Sequence, residues 1–527
     1  MGTYLNPGNS GFEEIRGSYY ADKSGLISLI NQTIGTKQKL TCISRPRRFG
    51  KSFAAQMLCA YYDKTCDSSS LFDDLAIAKD SHYTRHLNQY DVIYLDMTGI
   101  IGEAPPTDIV SYTKRNIIRE LTIRYPELEA EESFTSTLIN ATELTGNRFI
   151  MIIDEWDAPI REFKYNRQVR QNYLDFLRML FKNSGATSQI FAAAYMTGIL
   201  PIKKDGSQSA ISDFKEFTIL DPGKYARFTG FTEEEVREIC DIYHMDFNQA
   251  KNWYDGYSFD RVHSMYNPYS VMSAMQSGKF RSYWKKSAAA EALLTYIDMD
   301  EDGLQDDVIK LVSGETIEVD TDGFENDLET FKDKDDVLTL LIHLGYLTYQ
   351  EDGQGTGSAR IPNNEIRTEF NKILRRGKHS SLLRLIRESD QLLSKTFAQD
   401  ADAVAKAIAA VHDSNYAPQF YNNEQTLRAV VKYAYITCVD QYLKIEELPS
   451  GHGYADIVYI PKRQSFLPAM VIELKWNHTA NGAIAQIRNR NYPAVLENIS
   501  NELLLVAINY DAKTKLHTCI IEKQELS

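Results

Sequence analysis

Two stretches of the chain carry residue types whose spacing suits phosphate chemistry. The first is Arg45-Pro46-Arg47-Arg48-Phe49-Gly50-Lys51-Ser52, between an apolar run ending at Ser44 and a helical pattern beginning at Lys51. A loop between a strand and a helix offers backbone N–H groups to phosphate oxygens. A lysine there reaches the β- and γ-phosphates, and the next hydroxyl ligates Mg²⁺; in the segment Gly50-Lys51-Ser52 these roles fall to Lys51 and Ser52. Arg45 stands where G-x-x-x-x-G-K-[ST] has its first glycine. Arg47 and Arg48 can meet a γ-phosphate or a neighbouring subunit, or remain solvated. About a hundred residues later Phe149–Asp154 is an apolar run ending in Asp154-Glu155. This is the arrangement in which the first acid holds the Mg²⁺ shell and the second orients or deprotonates the attacking water. Thr197, closing the apolar run from Ile190, is either a γ-phosphate sensor or a strand-end cap.

The second stretch lies near the C-terminus. Asp456 opens an apolar run, and Glu473 and Lys475 stand two apart on the next, Ala469-Met470-Val471-Ile472-Glu473-Leu474-Lys475. Residues i and i+2 of a strand share a face. Hard oxygen ligands of this kind suit Mg²⁺ or Mn²⁺, and Lys475 would stabilise charge on a phosphodiester under attack. Glu424, at the start of a helical stretch, is a further ligand candidate, and Gln486 and Tyr492 fall on a following helix. The same pattern also occurs on ordinary exposed strand edges; here Glu473 follows a buried-type run, where an unpaired charge is costly.

The elements that must hold these residues are legible. Up to about residue 225, short apolar runs alternate with longer helical patterns, as in a parallel α/β sheet. The strand candidates are Leu40–Ser44, Val92–Asp96, Phe149–Asp154 and Ile190–Thr197. Residues 226–297 read as a helical, aromatic lid opening on the capping box Thr232 to Glu235. Residues 298–412 begin with an acidic linker and continue into a helix-plus-hairpin unit of winged-helix type and further helices. Residues 413–527 read as a last α/β region of helix, two strands, helix and strand.

The chain has 527 residues and a formal net charge of -14, with 43% hydrophobic and 25% charged residues. This composition excludes a collagen-like or wholly disordered chain, and the charge argues against a basic nucleic-acid-coating protein. The acid is local, however. Residues 298–336 hold 16 Asp and Glu against 3 Lys and Arg, while the region from Asn415 onward is balanced, so a nucleic-acid partner stays open. The acidic stretch reads as a solvated linker or helix face, or as a guard that repels nucleic acid. Six scattered cysteines without C-x-x-C fit a reducing cytoplasm. No run approaches the ~20 apolar residues of a membrane helix. The ten histidines show no metal-ligand spacing.

Tyr20-Ala21-Asp22-Lys23-Ser24, the Arg45–Ser52 loop, Asp154-Glu155, Thr197-Gly198-Ile199, Trp253-Tyr254-Asp255-Gly256-Tyr257 and Tyr266-Asn267-Pro268 together resemble the AAA-ATPase-like family of bacterial proteins, over roughly residues 5–290. The resemblance makes Arg45 the family's own form of the loop. It also implies a C-terminal PD-(D/E)XK nuclease-like domain, and the order Glu424, Asp456, Glu473-x-Lys475, Gln486, Tyr492 is similar to that domain. The expectation is therefore a P-loop NTPase sheet with a helical, winged-helix-like middle and a restriction-endonuclease-like C-terminal domain. It would bind ATP with Mg²⁺, act on nucleic acid through a divalent metal, lie in the bacterial cytoplasm, and be compatible with homo-oligomers. The rival expectations are an ATP-gated scaffold that binds without cutting, and a nuclease whose P-loop no longer takes nucleotide.

Overall fold

The computed structural model describes residues 2–163, 166–202, 204–205, 208–209, 211, 213–259, 262–284, 303–324, 331, 333–352, 356–374, 380–415, 423–450, 453–462, 467–489 and 502–525. The chain forms two compact units, Met1–Trp284 with Glu318–Glu365, and Lys285–Ile317 with Ile366–Ser527. The acidic stretch is divided between them. Within it Leu304–Val312 is a helix that buries Leu304, Val308, Leu311 and Val312, so this part is packed rather than a free linker.

The first unit is built on five strands, β1 (Leu40–Ser44), β2 (Val92–Asp96), β3 (Phe149–Asp154), β4 (Phe191–Gly198) and β5 (Lys215–Phe217), in the order β2-β3-β4-β1-β5. Every neighbouring pair is parallel. Alternation along the strands feeds two cores. Leu40, Cys42, Ile93, Leu95, Met151, Ile153, Ala194 and Met196 pack on one side. Ile43, Val92, Ile150, Ile152, Ala193 and Tyr195 pack on the other. A parallel sheet covered on both faces reads as near-continuous apolar runs, and this is why the central strands were recognisable from sequence. Parallel strands also bring their C-terminal ends to one edge. There stand Ser44, Asp96, Asp154 and Gly198, the positions flanking the candidate phosphate-binding residues.

The lid follows. Helix α2 (Glu233–Tyr243) opens with the expected capping box, in which the Thr232 hydroxyl and the Glu235 side chain satisfy each other's backbone N–H groups. With α3 (Phe247–Tyr254), α4 (Pro268–Ser277) and a small antiparallel sheet of Phe231–Thr232, Tyr257–Phe259 and Val262–Tyr266, it encloses a core of Val236, Ile239, Tyr254, Tyr266 and Val271. Tyr254 and Tyr257 are buried, which makes the Trp253–Tyr257 motif a packing element. A helix Lys334–Leu344 then precedes the antiparallel hairpin Thr348–Glu351 with Gly357–Arg360, the helix-then-hairpin unit read from the sequence.

The second unit ends in a five-stranded sheet of β6 (Tyr442–Ser450), β7 (Gly453–Pro461), β8 (Ala469–Trp476), β9 (Glu502–Asp511) and β10 (Leu516–Glu525), in sequential order. β8 and β9 are parallel and joined across α6 (Ala480–Asn489); the other pairs are antiparallel. Helix α5 (Glu424–Ala434) buries Leu427, Val430 and Val431 against this sheet's core. No helix among the described residues is long and apolar enough to cross a membrane.

Candidate functional site

The strand-to-helix turn after β1 is closed by Gly50, whose φ of 82° lies in the left-handed region that glycine adopts without strain. Helix α1 (Lys51–Tyr62) begins directly after it. Lys51 is buried, and its Nζ donates to the carbonyls of Arg45 (3.0 Å) and Pro46 (2.9 Å), spanning the loop from inside. Burial pushes its ammonium down to about 8, with Glu155, Asp154 and Asp157 pulling the other way. Ser52 is exposed at the first turn of α1. Asp154, at the end of β3, is buried and accepts a hydrogen bond from the Thr197 hydroxyl. Burial holds its carboxyl above the ordinary value, against the hydrogen bonds of Thr197 and Ser52 and the charge of Lys51. Lys51, Ser52, Asp154 and Thr197 are thus brought together at one edge of the sheet.

Glu155 follows in the left-handed region, φ 52°. Its N–H donates to Thr197 Oγ1 (3.2 Å), while its carboxylate accepts from Arg161 Nη2 (2.8 Å) and Thr98 Oγ1 (3.1 Å). Burial alone would raise this carboxyl; Arg161 and Lys51 outweigh it and hold it below its ordinary value. Arg161 also donates through Nε to Asp157 (3.0 Å), whose Oδ2 receives the N–H groups of Ile199 and Leu200 (3.1 and 3.0 Å). Asp157 therefore fixes the chain just after Thr197, and Arg161 ties that anchor to Glu155. Sequence reading passed over Thr98, Asp157 and Arg161. The available signal was the i, i+4 pair of Asp157 and Arg161 directly after the Asp154-Glu155 acids.

The basic loop is turned largely toward protein. Arg45 is fully buried: Nη1 donates to the carbonyls of Ser44 (2.9 Å) and Phe217 (2.8 Å), Nε donates to Thr229 Oγ1 (3.1 Å), and the guanidinium lies 5.0 Å from the centre of the Phe259 ring. Phe217 ends β5, which borders β1 on the side away from β4. The guanidinium consequently points away from Asp154. Arg48 donates to the Tyr283 carbonyl (3.0 Å) and lies 4.1 Å from the Tyr269 ring centre, so it is engaged by the helical subdomain. Arg47 is exposed, and its carbonyl accepts from Asn267 Nδ2 (3.2 Å). Gly345 closes the other flank, where an added Cβ would lie 2.7 Å from Pro46 Cβ.

In the second unit Glu473 is buried on β8, and Lys475 Nζ donates to its Oε1 (3.3 Å), as i and i+2 on one strand face require. The β7–β8 register pairs Ile457 with Ile472, the residues next to Asp456 and Glu473. Asp456 is held from two sides: Oδ2 accepts the Leu474 N–H (2.8 Å), and Oδ1 accepts from Arg428 Nη2 (2.6 Å). Arg428 sits one helical turn after Glu424 on α5, the i, i+4 spacing that gives both one helix face. Tyr492 lies outside the described residues, and Gln486 is described only as helical backbone.

Residues 7–207 match the AAA-ATPase-like family model, described as a predicted AAA-ATPase, and residues 422–519 match that of the PD-(D/E)XK nuclease superfamily. The chain carries an AAA-ATPase-like domain and a PD-(D/E)XK nuclease-superfamily domain. An Azotobacter chroococcum mcd 1 protein, described as an uncharacterized protein in the vnfD 5′ region, is 23% identical over 491 residues, 90% of this chain and 89% of its own. Among solved structures, the Aeropyrum pernix ORC2 protein (ADPNP-ADP complexes) aligns at 10% identity over 67% of this chain and 92% of its own, with a TM-score of 0.28. A DNA replication initiation factor aligns at 12% identity over 79% and 95%, with a TM-score of 0.24. The parallel strand order and the two family models, not these chains, define the fold.

The two domains differ in readiness for the metal that their families use. In the AAA-ATPase-like domain the exposed Ser52 hydroxyl, the Asp154 carboxylate and the Lys51 ammonium fit ATP with Mg²⁺. In the nuclease-superfamily domain the carboxylates of Asp456 and Glu473 suit a hard cation, and both are paired with protein cations, Arg428 and Lys475. Both Asp456 oxygens are engaged, and among the described residues no three His, Cys, Asp or Glu side chains converge on one point. The guanidinium of Arg428 stands beside Asp456, where a metal shared with Glu424 and Glu473 was expected from the sequence.

Proposed function

We propose that this protein is an ATPase coupled to a phosphodiesterase-type domain that acts on nucleic acid. The observation that carries the ATPase reading is the convergence of Lys51, Ser52, Asp154, Glu155 and Thr197 at the carboxyl edge of a parallel sheet. The γ-phosphate of ATP would take the hydrogen bonds that Lys51 now gives to the Arg45 and Pro46 carbonyls. Ser52 and Asp154 would hold Mg²⁺, which when bound would neutralise charge at the transferred phosphate. Glu155 accepts a proton from the attacking water once Arg161 and Thr98 release it, and Thr197 registers the γ-phosphate through its bonds to both Asp154 and the Glu155 N–H.

In the nuclease-superfamily domain Lys475 is placed to donate to a phosphodiester oxygen beside Glu473. Cleavage of nucleic acid is the reaction class that suits these groups, with Mg²⁺ or Mn²⁺ as the family's cofactor. A second reading, in which this domain binds nucleic acid or a partner without cutting, is favoured by one observation, the Arg428–Asp456 ion pair. A panel of single- and double-stranded DNA and RNA, incubated with Mg²⁺ or Mn²⁺ with and without ATP, separates them. Cleavage by wild type that disappears in Glu473→Ala and responds to ATP only when Lys51 is intact supports coupled activity. Wild type that hydrolyses ATP and binds the polymer without cutting it establishes the second reading, and absence of ATP hydrolysis under every condition refutes both.

A further inference from the structure

Three carboxylates of this sheet, Glu447, Asp456 and Glu473, are each in contact with a cation. Glu447 lies between Glu446 and Leu448, which pair with Ile457 and Ala455 on either side of Asp456, and its backbone is left-handed, φ 57°. Two cations offset the three carboxylates: Lys475 pairs with Glu473, and Arg428 spans the other two, with Nη2 on Asp456 Oδ1 at 2.6 Å and Nη1 on Glu447 Oε1 at 2.9 Å. The two contacts differ in setting. The Asp456 side chain is 11% exposed and Glu447 is 66% exposed, so one prong of the guanidinium is seated in the site and the other at its rim. A planar guanidinium with several fixed donors suits this two-carboxylate bridge, whereas a lysine ammonium reaches one partner at a time.

We propose that Arg428 is a built-in counter-ion that occupies the position of a divalent cation beside Asp456, and that metal loading requires it to release Asp456 while Glu447 keeps hold of it at the rim. This rests on reading Asp456 and Glu473 as a metal site. It makes cation occupancy, and with it any phosphodiesterase activity, conditional on a side-chain exchange within α5, β6 and β7.

The test is Mn²⁺ binding to the full, nucleotide-free chain, followed by the loss of the free-ion electron paramagnetic resonance signal. Asp456→Asn serves as the background that removes the C-terminal site alone. Arg428→Gln is expected to raise the Asp456-dependent Mn²⁺ affinity tenfold or more. Arg428→Lys keeps the charge but not the two-pronged reach; it is expected to raise affinity by a smaller factor, and it carries the test if the glutamine variant does not fold. Glu447→Gln removes the rim seat and is expected to weaken Mn²⁺ binding relative to wild type. Equal Asp456-dependent affinity in wild type, Arg428→Gln and Arg428→Lys overturns the proposal and leaves the metal site standing. Absence of Asp456-dependent binding in every variant overturns the metal site and the proposal together.

Discussion

Replacing Arg45 probes the most unusual residue of the phosphate-binding loop, because its charge is buried with neutral partners. Arg45→Ala removes donors to Thr229 Oγ1, Ser44 O and Phe217 O and leaves a cavity under Phe259. Each hydrogen bond from a charged donor contributes about 1.5–3 kcal/mol. Part of that is offset, since the cationic form no longer has to be desolvated, a penalty of several kcal/mol. That penalty already holds the guanidinium down at about 10. Deleting one side of a buried polar network nets roughly 3–5 kcal/mol of destabilisation. Arg45→Met keeps most of the volume and orphans mainly the Phe217 carbonyl, at about 1–2 kcal/mol. At ~2 °C per kcal/mol for a unit of this size, alanine should lower the melting midpoint by roughly 6–10 °C and methionine by roughly 2–4 °C. Tryptophan fluorescence reads this unit selectively, because Trp156, Trp253 and Trp284 lie in it and only Trp476 in the other. Since the guanidinium faces β5 rather than Asp154, Arg45→Met should keep its ATP affinity within about threefold at low and high salt. A methionine variant that melts like wild type but binds ATP tenfold more weakly would refute the placement of the head group.

Three further outcomes are expected. Lys51 titrates near 8 in the folded nucleotide-free protein and near 10.5 when unfolded, so between these values the unfolded chain holds more protons and the contribution of this group to stability rises with pH. Phosphate charge reverses the preference, so ATP binding takes up a proton and its affinity falls as pH climbs past about 8; calorimetry in two buffers of different ionisation heat reads the uptake, and buffer-independent heats would contradict it. Glu155→Gln should bind ATP normally and lose about 10²–10⁴-fold in turnover, as expected of a removed general base, in a steady-state phosphate-release assay. Gly256→Ala should destabilise by roughly 2–4 kcal/mol, since φ is 111° and the new Cβ would lie 2.1 Å from the Pro362 carbonyl oxygen, an overpacked and strained position that urea unfolding would detect.

Local chemistry alone was enough for three strands of the parallel sheet, but not for Lys215–Phe217, nor for the C-terminal sheet, which has five strands where the sequence offers three. Leu40–Ser44, Val92–Asp96 and Phe149–Asp154 appear with the bounds read from the sequence, because strands buried on both faces leave continuous apolar runs between helical patterns. The Thr232–Glu235 capping box was similarly legible, its four residues containing the whole interaction. The fates of the charged side chains were not, because each depends on a partner far along the chain. Arg45 is taken up by Phe217 and Thr229, Arg48 by Tyr283, and Asp456 by Arg428, at separations of 172, 184, 235 and 28 residues. A guanidinium in a sequence is equally suited to a phosphate, a carbonyl or a carboxylate. Residue type and spacing therefore determined which chemistry this chain can carry, while the tertiary structure decided which oxygens each cation meets: Lys51 meets the carbonyls of its own loop, and Arg428 meets Asp456 and Glu447.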